Sequence, residues 1–229
     1  MSIFPAARAA RCGLAAVLSM ASVGLAQQGV APLSQPDAWT IVGGRPEWGD
    51  ATLRLTALEH QAWAFHRGAA MGDTSVSVRF RMGDAGSGVK AAGLSLRSED
   101  SRSGCFVHYD SLNNQIIVTR DPWGDNRREI ARRRGVAIDT NRWYEARTDV
   151  VNDQIRVYLD GEELLTGSDG AVPAGYAGVY VSQGDVEFEG FAVAGTPVEP
   201  PIDWRIRMHY DVPTDQASAT IDRIFSICK

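Results

Sequence analysis

The stretch RWYEARTDVVNDQIRVYLDG, residues 142–161, predicts an antiparallel β-hairpin. Side chains alternate in character along residues 143–148 and again along residues 155–160, as they do in two half-buried strands. Asn152-Asp153 supplies the turn between the two strands, and Asp160-Gly161 predicts a second tight turn directly after them. The hairpin therefore predicts a sheet that buries one of its faces.

Similar short runs recur along the chain and predict further strands. They cover residues 39–42, 52–56, 62–66, 75–82, 93–97, 105–109, 115–120, 129–133, 143–150, 154–159, 177–182 and 186–193. Clusters of Gly, Pro, Asn and Asp separate them, a spacing that is typical of an all-β sandwich or barrel. No helical periodicity lies between these runs, which argues against a parallel sheet built from βαβ units.

The N-terminus predicts export. Arg8 and Arg11 precede an apolar run at residues 14–25, and small residues lead up to a cleavage point after Ala26. The run is too short and too rich in Ala and Gly for a membrane anchor. We expect residues 1–26 to be a signal peptide, residues 27–36 to be a flexible lead-in, and the mature protein to be periplasmic or secreted.

The charge balance narrows the classes of partner. The 229 residues carry a formal charge of −5. Removing residues 1–26, with two Arg and no acidic residue, leaves 21 basic and 28 acidic residues, a charge of −7. A mildly acidic exported protein is a poor candidate for binding nucleic acid or anionic lipid.

Two cysteines remain in the mature chain, Cys105 and Cys228. Export permits a disulfide between them, which would close a long loop and tie the C-terminal tail to the sandwich. Two unpaired buried thiols are an equal alternative. The spacing of Cys and His residues matches no zinc motif.

The C-terminal residues 196–229 differ from the rest. Residues 196–203 predict a proline-rich linker, and Ile221, Ile224, Phe225 and Cys228 fall on one face of a short helix. The helix either covers an edge of the sandwich, which we favour, or binds a partner.

Several sequence pieces occur in the order of a known family. They are Trp39, DATLRL (50–55), the run at 75–82, AGLSLR (92–97), RWY (142–144), VYLDG (157–161), GYAGV (175–179) and VEFEGFAV (186–193). This series resembles the concanavalin A-like lectin/glucanase jelly roll. Within that fold it is most similar to laminin-G-like domains and to the 3-keto-disaccharide hydrolases, a family-16 glycoside hydrolase-like group. The resemblance spans residues 37–195 and implies an antiparallel β-sandwich that handles carbohydrate.

The chain departs from these hydrolases at its middle strands. The family's Asn-Ser-Gly segment is replaced by Ala91-Ala92-Gly93, so that only Gly93 and Arg97 match. The acidic residue expected on the following strand is missing from residues 104–109, and no Glu-x-Asp of the laminarinase type occurs. Paired-carboxylate hydrolysis needs an acid and a nucleophile close together. The departures therefore favour a non-catalytic module.

Polar and aromatic residues are concentrated on three consecutive predicted strands and their ends. They are Arg97, Glu99, Asp100, His108, Asp110, Arg120 and Trp123. If these strands are neighbours, the group lies on one sheet face and offers the hydrogen-bonding groups and aromatic surface that sugar sites use. A solvated face with cross-strand Arg–acid pairs is the competing and favoured interpretation.

In the enzymatic version the catalytic candidates are His108, Asp110 and Arg97, with His108 as general base. The substrate-binding candidates are Arg97, Glu99, Arg120 and Trp123. Trp123 lies in a turn, where its ring either forms a sugar platform or folds back onto the sandwich. The runs Arg127-Arg128 and 132–134 predict a solvated face, with an acidic glycan as the alternative partner.

The resemblance also implies calcium held by oxygens of the first and last strands, for which Asp50 and Glu189 are the candidate ligands. A plain pair of exposed acids is favoured instead, and no cofactor is required.

Together these features predict an exported carbohydrate-binding jelly roll that, if it is an enzyme, hydrolyses a glycosidic bond in a (3-keto-)disaccharide or glycan. The alternative is a non-catalytic lectin-like or structural module of the cell envelope.

Overall fold

The structure, a computed structural model, describes residues 33–68, 70–83, 91–99, 101, 103–121 and 127–199. Within these ranges the chain consists of strands and one short 3₁₀-helix, Pro36–Ala38. The predicted all-β class is confirmed.

Fourteen strands run through the described ranges. They are β1 (Trp39–Val42), β2 (Gly44–Trp48), β3 (Thr52–Ala57), β4 (Gln61–His66), β5 (Ala70–Met82), β6 (Ala91–Ser98), β7 (Cys105–Asp110), β8 (Gln115–Arg120), β9 (Arg128–Arg134), β10 (Trp143–Val151), β11 (Gln154–Leu159), β12 (Glu162–Ser168), β13 (Tyr176–Ser182) and β14 (Asp185–Val198).

The strands form two seven-stranded antiparallel sheets. The first sheet has the order β1-β4-β13-β6-β7-β8-β9, and the second has the order β12-β11-β10-β5-β14-β3-β2. Alternate side chains of both sheets fill the space between them, as expected for a sandwich. Phe80 on β5 and Tyr109 on β7 meet there with ring centroids 5.2 Å apart, so the two sheets share one core.

The hairpin of β10 and β11 forms as the alternation predicts. Asn152 has a φ of +54°, and Asp160 and Gly161 have φ values of +50° and +82°, so both predicted turns use left-handed backbone. Trp143 and Tyr158 lie half-buried on the outer face of the second sheet.

Cations cover those two aromatic rings. The guanidinium of Arg81 lies 4.9 Å from the Trp143 ring centroid, and that of Arg147 lies 3.9 Å from the Tyr158 centroid. Aromatic rings on this face are therefore held by cation–π contacts instead of by the core.

Two strands have no counterpart among the predicted runs. The β2 strand contains Gly44 and Pro46, which weaken a strand signal, and it lies at the edge of the second sheet. The β12 strand lies at the opposite edge and has no clean alternation. Edge strands need only one hydrogen-bonded neighbour, so weak local patterns suffice there.

The sandwich is longer than the predicted domain. Leu33, expected in the lead-in, is 2% exposed and belongs to the core. At the other end, β14 continues to Val198, which is paired with Ala70, so the predicted boundary after residue 195 falls inside a strand.

The predicted signal peptide, the rest of the linker and the C-terminal helix lie outside the described residues. In the described part, no helical segment has the length and apolar content that a bilayer-spanning helix requires.

Candidate functional site

The outer face of the first sheet carries a second cluster of buried rings, separate from the core. Trp63 and Phe65 on β4, Phe106 on β7 and Tyr180 on β13 form it, and Trp63 is the most exposed of the four at 7%. With His108 on β7, these residues define what we call the aromatic face. The first sheet is therefore apolar on both sides along its central strands.

Strand register aligns part of this face in one row. Trp63 is opposite Tyr180, Tyr180 is opposite Gly93, and Gly93 is opposite His108, across four adjacent strands. Gly93 contributes no side chain, so the rings of Tyr180 and His108 meet edge to face with centroids 5.1 Å apart. A Cβ on Gly93 would overlap the carbonyl oxygen of Val107 and lie 2.9 Å from Cδ1 of Tyr180.

His108 is held in its neutral form. Its Nε2 lies 3.0 Å from Oγ1 of Thr119 and hydrogen-bonds to it. The pKa of His108 is lowered to about 4, mainly by burial and to a smaller extent by the charge of Arg127, with Asp110 opposing the shift. At neutral pH the imidazole is therefore uncharged, and it is a weaker base than a solvated histidine.

A hydrogen-bonded polar group borders the row on the β8 and β9 side. Asp110 accepts from Gln115 Nε2 at 2.8 Å, and Gln115 accepts through Oε1 from Arg132 Nη1 at 2.9 Å. Asn113 also donates to Asp110, and Glu129 accepts from Arg132. We call Asp110, Gln115 and Arg132 the polar rim. Register places all three on the same side of the sheet as His108.

Arg97 points away from this face. It has a φ of +49° at an irregularity in the pairing of β6 with β13, and its side chain is 4% exposed. Its Nε donates to Gly72 O at 2.8 Å, Nη1 donates to Asn152 O at 2.6 Å, and Nη2 lies 3.2 Å from Oδ1 of Asp73. Because these partners belong to β5 and to the β10–β11 turn, Arg97 connects the first sheet to the second.

Arg120 makes a similar connection. Register sets it opposite Cys105, on the core side of the first sheet, and it pairs with Asp169, which directly follows β12. The three strands β6, β7 and β8 are neighbours, but only part of the predicted group lies on one sheet face. His108 and Asp110 share the outer face, whereas the side chains of Arg97 and Arg120 bind across the sheets.

Of the remaining predicted residues, one lies in a described loop and two lie outside the described residues. Glu99 lies in the loop after β6, where its backbone N–H donates to Ser103 O at 3.0 Å. Asp100 and Trp123 lie outside the described residues, and their predicted roles stay predictions.

Cys105 is buried and its thiol is free in the structure. Burial raises the pKa of this thiol to about 12, so it is protonated and unreactive at neutral pH. Cys228 lies outside the described residues, so the disulfide stays a prediction.

The candidate calcium ligands do not fit a metal site in this structure. Glu189 forms an ion pair with Arg79, and Asp50 is an exposed residue of the bend between β2 and β3. Across the described ranges, no three residues among His, Cys, Asp and Glu are grouped so that they could hold an ion. Calcium usually binds six to eight oxygens, and a single carboxylate that is already paired with an arginine supplies too few of them.

The aromatic face was not predicted from the sequence. The signal for it lies in β4, where the aromatic residues Trp63 and Phe65 alternate with Ala62 and Ala64. Alternation of large and small apolar residues indicates a strand with two apolar faces, only one of which can belong to the core.

No protein-family model matches this sequence, and no curated protein matches it. Solved structures do share its architecture. The carbohydrate-binding module CBM66 from Bacillus subtilis has a TM-score of 0.63 and 20% identity, over 69% of this chain and 96% of that one. A Bacillus subtilis protein of unknown function with a galectin-like fold has a TM-score of 0.57 and 12% identity, over 73% of this chain and 95% of that one.

The exoplasmic/lumenal domain of VIP36, solved in a Ca²⁺/Man3GlcNAc-bound form, gives a TM-score of 0.59 and 15% identity, over 77% of this chain and 93% of that one. At such identities the likeness shows the fold, a lectin-like jelly-roll sandwich.

Proposed function

We propose that this chain binds carbohydrate at the outer face of its first sheet, where the polar rim borders the aromatic face. The observation that carries the proposal is that the Tyr180–His108 ring contact and the hydrogen-bonded group of Asp110, Gln115 and Arg132 lie on the same side of the first sheet. Structures with the same fold include a carbohydrate-binding module and a mannose-containing lectin-domain complex, which supports the choice of ligand class.

The chemistry of the rim suits sugar hydroxyls. Asp110 offers carboxylate oxygens and Arg132 offers a planar fork of donors, while Gln115, which is 5% exposed, bonds to both and holds them together. Their mutual hydrogen bonds hold these groups in place before a ligand arrives, which lowers the entropic cost of binding. The rings of Tyr180 and His108 are buried beside the rim, so a sugar would contact the rim first.

A catalytic form of this proposal follows the resemblance to 3-keto-disaccharide hydrolases. His108 and Asp110 would act on a glycosidic bond, with His108 as the base. The non-catalytic form is better supported, because Asp110 is already bonded to Asn113 and Gln115 and Glu129 is bonded to Arg132. We include export and a place in the cell envelope in the proposal, on the strength of the N-terminal sequence.

A glycan array with the full chain, followed by calorimetry on the best ligand, tests the proposal. We expect Asp110→Asn with Arg132→Gln to weaken binding about tenfold or more, since two charge-assisted contacts are lost. The matched control is Arg156→Gln, an exposed strand residue of the second sheet. The site is refuted if the unmodified chain binds no glycan, or if the variant with Asp110→Asn and Arg132→Gln binds as tightly as the Arg156→Gln control.

Turnover assays on plain and 3-keto disaccharides separate the two forms of the proposal. Release of product that disappears in His108→Gln would establish the hydrolase, whereas binding without turnover would leave a lectin-like module.

A further inference from the structure

The edge strand β9 concentrates positive charge on an acidic protein. Four of its residues are arginines, Arg128, Arg132, Arg133 and Arg134, and Arg127 directly precedes it. The whole chain carries a formal charge of −5, so this edge departs in sign from the average of the protein. Its only acidic residue is Glu129.

Most of these arginines have no acidic partner. Arg132 pairs with Glu129, but no carboxylate in the described part of the chain pairs with Arg127, Arg128, Arg133 or Arg134. The second sheet differs, because its arginines at positions 45, 54, 79, 81, 142 and 147 each lie within 4 Å of an acid, and among its described arginines only Arg156 lacks such a pair. Paired arginines form a neutral surface, whereas the unpaired ones remain available to an anion.

Part of this positive charge borders the proposed sugar site, namely the unpaired Arg134 and Arg132, which is paired with Glu129. Arg134 is opposite Gln115 and Arg132 is opposite Ile117, so both lie on the outer side of the first sheet beside the polar rim. Arg127 is exposed, and its charge adds to burial in lowering the pKa of His108. Arg127 directly precedes β9, so it belongs to the same edge of the first sheet as Arg132 and Arg134. We call Arg127, Arg132 and Arg134 the basic strip.

We propose that the ligand of this face is an acidic glycan, whose carboxylate or sulfate groups bind the basic strip while its sugar rings lie along the polar rim. The inference rests on the proposed function, because it names the class of carbohydrate for that same site. A guanidinium binds a carboxylate or sulfate through two parallel hydrogen bonds, a geometry that a neutral sugar does not supply. Within the basic strip, Arg134 is opposite the rim residue Gln115 and Arg132 donates to it, so two guanidinium groups adjoin the rim, which suits a polymer with repeated charges.

Protection of the sheet edge is the competing explanation of the arginines, since charged side chains discourage pairing between edges. It accounts for Arg128 and Arg133 along the edge itself. It does not require Arg132 to bond to Gln115 within the rim.

Matched polymers test the inference. Polygalacturonate and alginate, each beside its methyl ester, are titrated with the full chain at about 50 mM and about 300 mM NaCl, because exposed charges are screened over this range. We expect each acid form to bind at least about tenfold more tightly than its ester, and the preference to shrink at the higher salt. Polyglutamate serves as a polymer with carboxylates and no sugar.

Two variants locate the binding. Arg127→Gln with Arg134→Gln should remove most of the preference for the acid form, whereas Arg156→Gln with Arg45→Gln on the second sheet should leave it unchanged. Melting temperatures of all variants confirm that they fold. Both pairs remove two positive charges, so a general charge effect would appear in both.

The outcomes separate the two proposals. Equal binding of acid and ester, or binding of neutral array glycans alone, overturns the acidic ligand and leaves carbohydrate binding in place. Equal binding of polyglutamate shows that the strip attracts charge without recognising a sugar, and also overturns the inference. Failure to bind any glycan overturns the proposed function as well.

Discussion

Arg120 on β8 and Asp169 after β12 join the two sheets through a two-point ion pair. Nε lies 2.7 Å from Oδ2, and Nη2 lies 2.9 Å from Oδ1. The side chains are 24% and 10% exposed, so the pair is partly shielded from water. Because Arg120 ends a strand of the first sheet and Asp169 follows a strand of the second, their contact fixes one edge of the sandwich.

We expect Asp169→Asn to lower the free energy of unfolding by about 2 kcal/mol, because it leaves Arg120 half-shielded without a counter-charge. Urea denaturation measures the change. Glu47→Gln is the matched control, since it removes a carboxylate from an exposed pair with Arg45 and should cost less than about 0.5 kcal/mol. Equal losses would show that Arg120–Asp169 behaves as an ordinary surface pair.

The close approach of strands at Gly93 gives a second prediction. Gly93→Ala should destabilise the fold by about 1–3 kcal/mol, because the new methyl group overlaps the backbone of Val107 and presses on Tyr180. Gly170→Ala is the control, since its Cβ would make only ordinary contact, 3.5 Å from Cβ of Asp153. Thermal denaturation of both variants tests it, and a Gly93→Ala protein as stable as the control would contradict the packing described above.

Much of the fold could be predicted from local alternation. The run at 143–150 and the Asn152-Asp153 turn match β10 and its turn because one face of the second sheet is buried and the other is wet. Alternation is informative only under that condition. The β4 strand, apolar on both sides, gives no such contrast, so its outward rings Trp63 and Phe65 could not be assigned to a face.

The candidate site was predicted less well, for reasons of geometry. Arg97 and His108 lie on neighbouring strands, and strict alternation does not foresee the irregular pairing at which Arg97 turns inward. Arg120 lies on the core side by the register of β8, but its partner Asp169 is 49 positions away, and no local pattern connects the two. Only His108 and Asp110, two residues apart on one strand, were certain to share a face.

The buried neutral His108 predicts a loss of stability in acid. Its pKa is about 4 in the folded state, below the 6.5 of a solvated histidine, so between these pH values the unfolded chain binds more protons. Stability should therefore fall as pH decreases from 6.5 to 4, by up to about 1.4 kcal/mol per pH unit from this group, and be unaffected by it above pH 7.

Comparing the unmodified chain with His108→Gln isolates the contribution of His108 to the pH dependence of stability, because the carboxylates titrate alike in both proteins. Burial also lowers the pKa of His66, which adds a loss in the same direction that both proteins retain. We expect the difference in unfolding free energy between them to shrink steadily between pH 6.5 and 4. A difference that is constant with pH would mean that His108 titrates normally.

Arg79 competes with any cation for Glu189. The two side chains form an ion pair on the outer face of the second sheet, and Arg81 pairs with Glu187 beside them at 2.5 Å. We therefore expect about 1 mM CaCl₂ or EDTA to shift the melting temperature of the full chain by less than about 1 °C, since a ligand stabilises only a state that binds it. A larger rise with calcium that is lost in Glu189→Gln, but kept in Glu47→Gln, would restore the site predicted from Asp50 and Glu189.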